Sequence, residues 1–436
     1  VPRWIPLVVL GAALLPAGLA RADVPPPVEP PPVTDPTATA PVPTDPAAPP
    51  VTAPPVTAPT VTAPAPATTA PGPAPTIPYG PETPPAMPVR QDPDRLWAVP
   101  AATRLAVKGL WTRPIGDLDA PATRRELARI AIGISGGPSA EAAARMPADV
   151  DPTAPDALAL AEAVRRGWLA APGGQVGPDQ PVTAGEADQV LVRAMGLDAE
   201  RRGLANLATA DGRRFALPDA FASEVLAREA GLRHNYPSVQ DRLERAPDET
   251  VARADLAGMG AAALAVRTQP RRRALLRPFA TVRLPAMSAR GFARIQSALL
   301  QVGQPYVWGG EWPTTASPEG PQSHGGFDCS GLAWFAVQSA ARQSELGPVG
   351  GLLSRTTADR MAYAVPGRRI GLRATRPGDM LFFGSLGRRS RPGTISHMAL
   401  IAGNGWIVQS SGTRDGVSLT RRATYWPSGE ALAKRL

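Results

Sequence analysis

Cysteine is all but missing from this chain: Cys329 is the only one in 436 residues. An intrachain disulfide is therefore impossible, which excludes a stapled scaffold and leaves the thiol as an inert buried side chain, an intermolecular linker or a nucleophile. Aromatic residues make up only 5%, and 3 histidines supply all the imidazole chemistry available, at His234, His324 and His397. Lysine is scarce as well, so the formal charge of +9 and the pI near 10.6 come almost wholly from arginine. That balance suits work beside a polyanion, and it is equally what an Arg-, Ala- and Pro-rich coding bias produces. The positive charge comes without interleaved aromatics or a reader motif, which argues against nucleic-acid binding.

Proline, by contrast, is abundant, with 54 residues of which nearly half fall between Val24 and Val89. Ahead of them, Arg3, an apolar run from Ile5 to Ala20 interrupted by Pro16, and Ala20-Arg21-Ala22 have the layout of a secretory signal over residues 1–22. The alternative is a membrane anchor, although the run is shorter than the ~20 apolar residues that a span needs. Residues 23–91 repeat Pro, Thr, Ala and Val, as in Val51-Thr52-Ala53-Pro54-Pro55, and can bury little apolar area. They read as a disordered, polyproline-like spacer.

Residues 92–268 turn helical, with three similar units. Glycines that suit the left-handed position after a helix, Gly109, Gly167 and Gly231, recur at about sixty residues. Each unit then has a second helix start, at Thr123-Arg124-Arg125-Glu126, Thr183-Ala184-Gly185-Glu186 and Ala252-Arg253-Ala254-Asp255. The first two are capping boxes, and the third lacks the capping hydroxyl. These helix starts resemble S-layer homology repeats, which implies a helical domain that grips an anionic secondary cell-wall polymer. Arg124 and Arg253 match the family's signature arginine, whereas Ala184 does not. The alternative is a helical spacer whose boxes only cap. His234 lies in a loop with no metal-ligand spacing around it and reads as a surface residue.

Residues 269–289 are Arg- and Pro-rich and read as a connector. A helix is expected from about Arg290 to Val302, with Phe292, Ile295, Leu299 and Val302 on one face. Glu311 to Ser323 looks like a surface loop, and Leu332 to Ala341 offers an apolar helix. Cys329 stands at the first turn of that helix, where the macrodipole is expected to lower the thiol pKa. His397 lies in a strand ending at Gly403-Asn404-Gly405, and Trp406 to Gln409 form the returning strand. With a three-residue loop, Ala402 pairs with Trp406 and Gln409 comes diagonally beside His397, where its amide oxygen can hold the imidazole tautomer that takes the thiol proton. A strict two-residue turn would send the two side chains to opposite faces. His324, five positions before Cys329 in a Gly-rich loop, is the rival base. Gly387 to Gly393, with Arg388, Arg389 and Arg391, is either a steering loop for acidic material or a solvated one.

Tyr306-Val307-Trp308-Gly309-Gly310, Phe327-Asp328-Cys329-Ser330-Gly331-Leu332, Arg355-Thr356-Thr357-Ala358-Asp359, Arg376-Pro377-Gly378-Asp379 and Ser396-His397-Met398-Ala399 stand in this order. Over residues 290–436 they resemble the NlpC-type cell-wall peptidases, papain-like cysteine enzymes. The resemblance implies an α+β domain in which a helix carrying Cys packs on an antiparallel sheet carrying His. It implies Cys329 as nucleophile, His397 as base and then acid, and Gln409 as third polar residue, a position often held by His in the family. It further implies Tyr306, Asp328, Ser330 and Ser396 as substrate contacts, though Asp328 suits a helix cap equally well. The expected function is a secreted, wall-associated endopeptidase acting on peptidoglycan stem peptides, commonly at the γ-D-glutamyl–diamino acid bond. Alternatives are an inactive wall-binding scaffold and a Cys-His acyl or amide transferase. No reading calls for a cofactor or a metal, and a membrane is a partner only if the signal stays uncleaved.

Overall fold

Apolar residues at helical spacing, several of the runs closed by a left-handed glycine, build the helical part of the described residues. The computed structural model describes residues 95–112, 117–233, 245–343, 353 and 355–436. The proposed signal and spacer, and His234, lie outside the described residues. The chain divides into Val1–Thr83 and Pro84–Leu436, and every described residue belongs to the second unit. Its helical part contains α1 (Val99–Val107), α2 (Arg124–Ile134), α3 (Ala157–Arg165), α4 (Ala184–Ala194), α5 (Asp198–Ala205), α6 (Phe221–Ala230) and α7 (Arg253–Thr268). Gly109, Gly167 and Gly231, just past α1, α3 and α6, have φ of 70°, 64° and 78°, a region that costs other residues steric strain.

The three helix starts meet one another. Ala122 N–H donates to Val251 O at 3.0 Å, Val251 N–H to Val182 O at 3.0 Å and Val182 N–H to Ala122 O at 2.9 Å, which closes a ring. The unpaired amides at the head of α2, α4 and α7 are then met by loop carbonyls: Arg124 N–H reaches Gln180 O, Ala184 N–H reaches Glu249 O, and Arg253 N–H reaches Ala120 O. Side chains repeat the pattern. Arg124 pairs with Glu186 at 3.0 Å and donates to Val176 O, while Arg253 pairs with Glu126 at 2.8 Å and with Asp117. The third arm is missing because residue 184 is alanine. The capping boxes are shared out likewise. Glu126 accepts from the Thr123 amide, Thr183 accepts from the Glu186 amide, and Asp255 accepts from the Ala252 amide, so the unit without a hydroxyl keeps the carboxylate half.

The expected connector is folded. Helix α8 (Pro270–Leu276) carries Arg273, whose guanidinium donates to Met195 O and Gly196 O at 2.7 Å each. Phe279 follows and packs on Trp406 at 4.8 Å, inside the core. Helix α9 (Ala289–Leu299), capped by Ser288, buries Ile295 and Leu299 as its spacing predicts, and its Phe292 stacks on Phe215 of the helical half at 4.6 Å. The insertion between Trp308 and Cys329 is ordered rather than a plain surface loop. It forms β1 (Glu311–Trp312), β2 (Ala316–Ser317), β3 (Gly320–Pro321) and β4 (Gly326–Phe327), with β1 paired to β4 and β2 to β3. Helix α10 (Cys329–Gln343) comes next, then α11 (Ala358–Tyr363) and the strands β5 (Arg368–Ile370), β6 (Met380–Gly384), β7 (Ile395–Gly403), β8 (Trp406–Ser411), β9 (Gly416–Arg421) and β10 (Glu430–Arg435). These form one antiparallel six-stranded sheet in the order β5-β10-β6-β7-β8-β9. Helix α10 packs on β7 and β8, with α9 beside it.

A single apolar core runs from Leu105 and Ile130 through Phe279 to Leu400 and Val408, so the helical half and the α10 face of the sheet share one interior. Their seam is polar as well as apolar. Arg228 of α6 is buried and donates to the carbonyls of Gly303 and Asp415. Gln296 of α9 exchanges two bonds with the Ala216 backbone, at 2.8 and 2.6 Å. The two halves are therefore expected to unfold together: far-ultraviolet circular dichroism and tryptophan fluorescence should give one coincident denaturant transition. Arg228→Ala, which leaves two buried carbonyls without their donor, should lower stability by about 2–4 kcal/mol. Two separated transitions in the unmutated protein would show the halves to be independent.

Candidate active site

The chain approaches Cys329 through β4, and Asp328 then ends the strand and caps α10. One Asp328 carboxylate oxygen accepts from Gly331 N–H at 2.6 Å and Ser330 Oγ at 2.8 Å, and the other accepts from Gly309 N–H at 3.1 Å. Arg355, paired with Glu311 at 2.6 Å, stands 3.5 Å from the same carboxylate. Of the two roles open to Asp328, the cap is the one its contacts fill. Gly331 is obligatory here, since a Cβ would fall 1.9 Å from Gly310 O where that backbone crosses the first turn of α10.

The β7–β8 turn differs from the expected three-residue loop. Gly403 pairs with Trp406 across a two-residue turn, in which Asn404 (φ 51°) and Gly405 (φ 80°) take the left-handed conformations that such hairpins favour. Two-residue geometry alone would have sent His397 and Gln409 to opposite faces. The register slips between Ile401 and Gly403, however, and from there Ile401 pairs with Ile407 and Leu400 with Val408. The bulged Ala402 thus restores the face relation that the longer loop would have given. His397 Nε2 lies 2.7 Å from Gln409 Oε1. Both side chains are buried, and the imidazole packs against Phe383 and Tyr425, with ring centres 5.6 and 5.1 Å away.

Cys329 is buried at the head of α10, and the amide of Met398, the residue after His397, hydrogen-bonds toward its sulfur. The helix start was expected to lower the thiol pKa, but burial wins and pushes it up to about 12, with the Asp328 charge adding to the rise. The N–H groups of Met398, Ser330 and Cys329 oppose this without reversing it. Burial pushes His397 down to about 4, against the Gln409 hydrogen bond. Both shifts favour the uncharged forms at neutral pH, a thiol and a neutral imidazole.

His324 is held elsewhere: its Nδ1 lies 2.6 Å from Gly325 O and its Nε2 3.0 Å from Glu249 of the helical half. Ser330 is buried against Asp328, Tyr306 bridges to Phe327, and Ser396 is exposed beside His397. Arg124 and Arg253 are committed to the ion pairs between helix starts. Tyr425 was not foreseen. It follows β9 in a four-residue helix outside every recognised motif, and burial pushes its phenol up to about 12, against a hydrogen bond with Ser411. Its one sequence signal is a Tyr-Trp pair in an aromatic-poor chain. A further feature lies by the edge strand β5, where Arg369, Arg373 and Arg388 line a cavity of about 750 Å³ with Ile370, Leu372 and Leu432.

Residues 303–433 match the model of the NlpC/P60 family. The chain is similar to Murein DD-endopeptidase MepH of Escherichia coli (strain K12), 30% identical over 137 residues that make up 31% of this chain and 42% of that protein. It is also similar to Peptidoglycan endopeptidase RipB of Mycobacterium tuberculosis (strain ATCC 25618 / H37Rv), 31% identical over 152 residues, 33% of this chain and 55% of that one. The chain thus spans less than two thirds of the length of either relative. Among solved structures it is similar to the P60 domain of an M. avium subspecies paratuberculosis antigen, at 28% identity and a TM-score of 0.25, over 34% of this chain and 93% of that one. The NlpC/p60 domain of peptidoglycan hydrolase SagA is similar at 25% identity and a TM-score of 0.24, over 34% and 98%.

A thiol that rests protonated makes a specific demand on labelling. Alkylation of Cys329, followed by intact mass, should keep accelerating as the pH passes the ordinary thiol value of 9.0. A rate already level below neutrality would instead reveal a preformed thiolate–imidazolium pair.

Proposed function

We propose, from the NlpC/P60 domain that the C-terminal region carries, that this protein is a cysteine endopeptidase of peptidoglycan stem peptides. The observation that carries the reading is the 2.7 Å contact between His397 and Gln409 beside a thiol at a helix start. Gln409 Oε1 accepts only, so His397 carries its proton on Nε2, which leaves a basic Nδ1 as the nitrogen able to take the thiol proton. When a peptide binds, Cys329 passes its proton to Nδ1 and its sulfur adds to the amide carbonyl. The N–H groups of Cys329 and Ser330, which lie toward the sulfur at the head of α10, are the donors that can turn to the developing oxyanion, the Gly331 amide being held by Asp328. His397 then protonates the departing amine, and water, deprotonated by the same nitrogen, releases the acyl group from sulfur.

The bond we propose is the one joining γ-D-glutamate to the diamino acid, and its support is the motif resemblance in the sequence. The proposed setting is outside the cell, at the wall, which rests on the signal-like amino terminus. Contact with anionic wall polymer is proposed for the groove of Arg369, Arg373 and Arg388 rather than for Arg124 and Arg253, whose charges are matched by carboxylates within the fold. Arg373→Glu combined with Arg388→Glu should weaken pelleting with purified walls at low salt and leave Cys329 labelling unchanged. Pelleting that resists both the substitutions and added salt would point to another surface.

Digestion of purified peptidoglycan, read by mass spectrometry of the released peptides, tests activity and bond together. Cys329→Ala should abolish release, and His397→Ala should lower it by about 10²–10⁴-fold, the usual worth of a positioned base. Equal release by the Cys329→Ala protein would sink the reading, and products ending in D-alanine would move the cleaved bond. The pH profile carries a sign of its own. The active imidazole is neutral and its pKa is depressed to about 4, so kcat/KM should hold on the acid side and fall only as the pH drops through that value.

A further inference from the structure

A polar relay continues past Gln409 and leaves the sheet for the helical half. Gln409 Nε2 donates to Thr420 Oγ1 at 3.3 Å, and Thr420 Oγ1 donates to Glu229 Oε1 at 2.7 Å. Ser418 Oγ also donates to Glu229 Oε1, at 3.3 Å, and Arg414 Nε stands 3.4 Å from that oxygen. Gln409, Ser418 and Thr420 are buried, and the Glu229 side chain is only 6% exposed. Glu229 sits in the last turn of α6, outside the NlpC/P60 stretch at 303–433.

The chemistry of each atom fixes the direction of the whole relay. Two hydroxyl donors converge on Glu229 Oε1 with the Arg414 guanidinium beside them, and this oxygen has nothing to donate, so the Thr420 hydrogen points to the carboxylate. The lone pairs of Thr420 then face Gln409, which must present its amide nitrogen. The Gln409 oxygen is thereby turned to His397, whose Nε2 must carry the proton. A carboxylate three hydrogen bonds away thus selects the imidazole tautomer. Without that carboxylate, Thr420 is free to donate to a flipped Gln409 oxygen. The amide nitrogen would then face His397 and place the imidazole proton on Nδ1, where it blocks proton uptake from the thiol. Burial raises the Glu229 pKa, while Arg414, Thr420 and Ser418 oppose the rise. A proton on Oε2 would leave Oε1 an acceptor, so the direction of the relay does not depend on the charge.

We propose that Glu229 is a positioning residue of the active site, supplied by the helical repeats, which sets the His397 tautomer through Thr420 and Gln409. The catalytic use of that tautomer rests on the peptidase reading above; the tautomer itself does not. The helical half is then a working part of the site rather than a spacer, and its α6 must be seated before the imidazole is correctly protonated.

The test is nitrogen NMR of the imidazoles in the full chain, where only 3 histidines need assignment, together with kcat, KM and the pH profile on purified peptidoglycan. In the unmutated protein His397 should carry its proton on Nε2. Glu229→Leu and the isosteric Thr420→Val should each shift it to a mixture or to Nδ1. Both should lower kcat by at least about tenfold with KM little changed, a loss bounded by the ~10⁴-fold that a wrong tautomer causes when the orienting group itself is altered. Glu229→Gln, whose amide oxygen can still accept from Thr420, and Thr420→Ser should recover most of the loss, which a packing role alone would not explain. An Nε2 proton and an unshifted pH profile in both Glu229→Leu and Thr420→Val overturn the proposal. If Glu229→Leu does not fold, Thr420→Val decides alone. Should Cys329→Ala digest walls normally, the peptidase reading fails while the tautomer result stands.

Discussion

The seat of α6 against β9 is the contact on which the rest depends. Two adjacent residues of its last turn make it: Arg228 donates into the carbonyls of Gly303 and Asp415, and Glu229 accepts from Ser418 and Thr420. Buried charge is tolerated only where its hydrogen bonds are matched, so the two halves can meet in one register and hardly any other. The β8–β9 register holds Thr420 beside β8, which carries the amide that faces His397, and the seat of α6 brings Glu229 against that hydroxyl. The polar surroundings of Gln409 are in this sense completed by the helical half.

Burial sets the electrostatics of the site more strongly than the helix does. A helix start favours negative charge by a fraction of a kcal/mol to about 2 kcal/mol. Removing the sulfur from water, beside the Asp328 carboxylate, outweighs it and keeps the thiol protonated. Asp328 earns its place by capping α10 and anchoring Gly309, which shapes the approach to Cys329 at some cost in thiolate. Neutral partners also spare the apolar surroundings of His397, among Phe383 and Tyr425, from a standing charge.

Much of this was legible along the chain, where it depended on residues close in sequence. The helix ends at Gly109, Gly167 and Gly231, the capping boxes, the α9 face and the nearness of His397 to Gln409 all follow from local spacing. The hairpin shows the limit of such reasoning, since the face relation came out as expected through a turn and bulge that spacing does not distinguish from a three-residue loop. Thr420, Tyr425 and Glu229 were not legible, because their partners are reached through space and no motif marks them. The thiol pKa was misjudged for a related reason: a local dipole can be read from the position of Cys329, whereas desolvation depends on everything packed around it. The segment carrying Arg273 and Phe279 read only as a connector because arginine and proline dominate its composition, yet α8 docks by donating to two carbonyls that the sequence does not pair with it.

The ring formed by Ala122, Val182 and Val251 has a bearing on how such a protein can change over time. Open stacks of repeats gain or lose units at their ends, because each unit touches only its neighbours. Here the first unit bonds to the third, and the circuit has no end at which a fourth could be added or one dropped. Duplication or deletion of a unit would leave a backbone amide and carbonyl facing each other across a gap. The number three is thus locked by closure, and sequence drift can erode individual arms, as at Ala184, without altering the count.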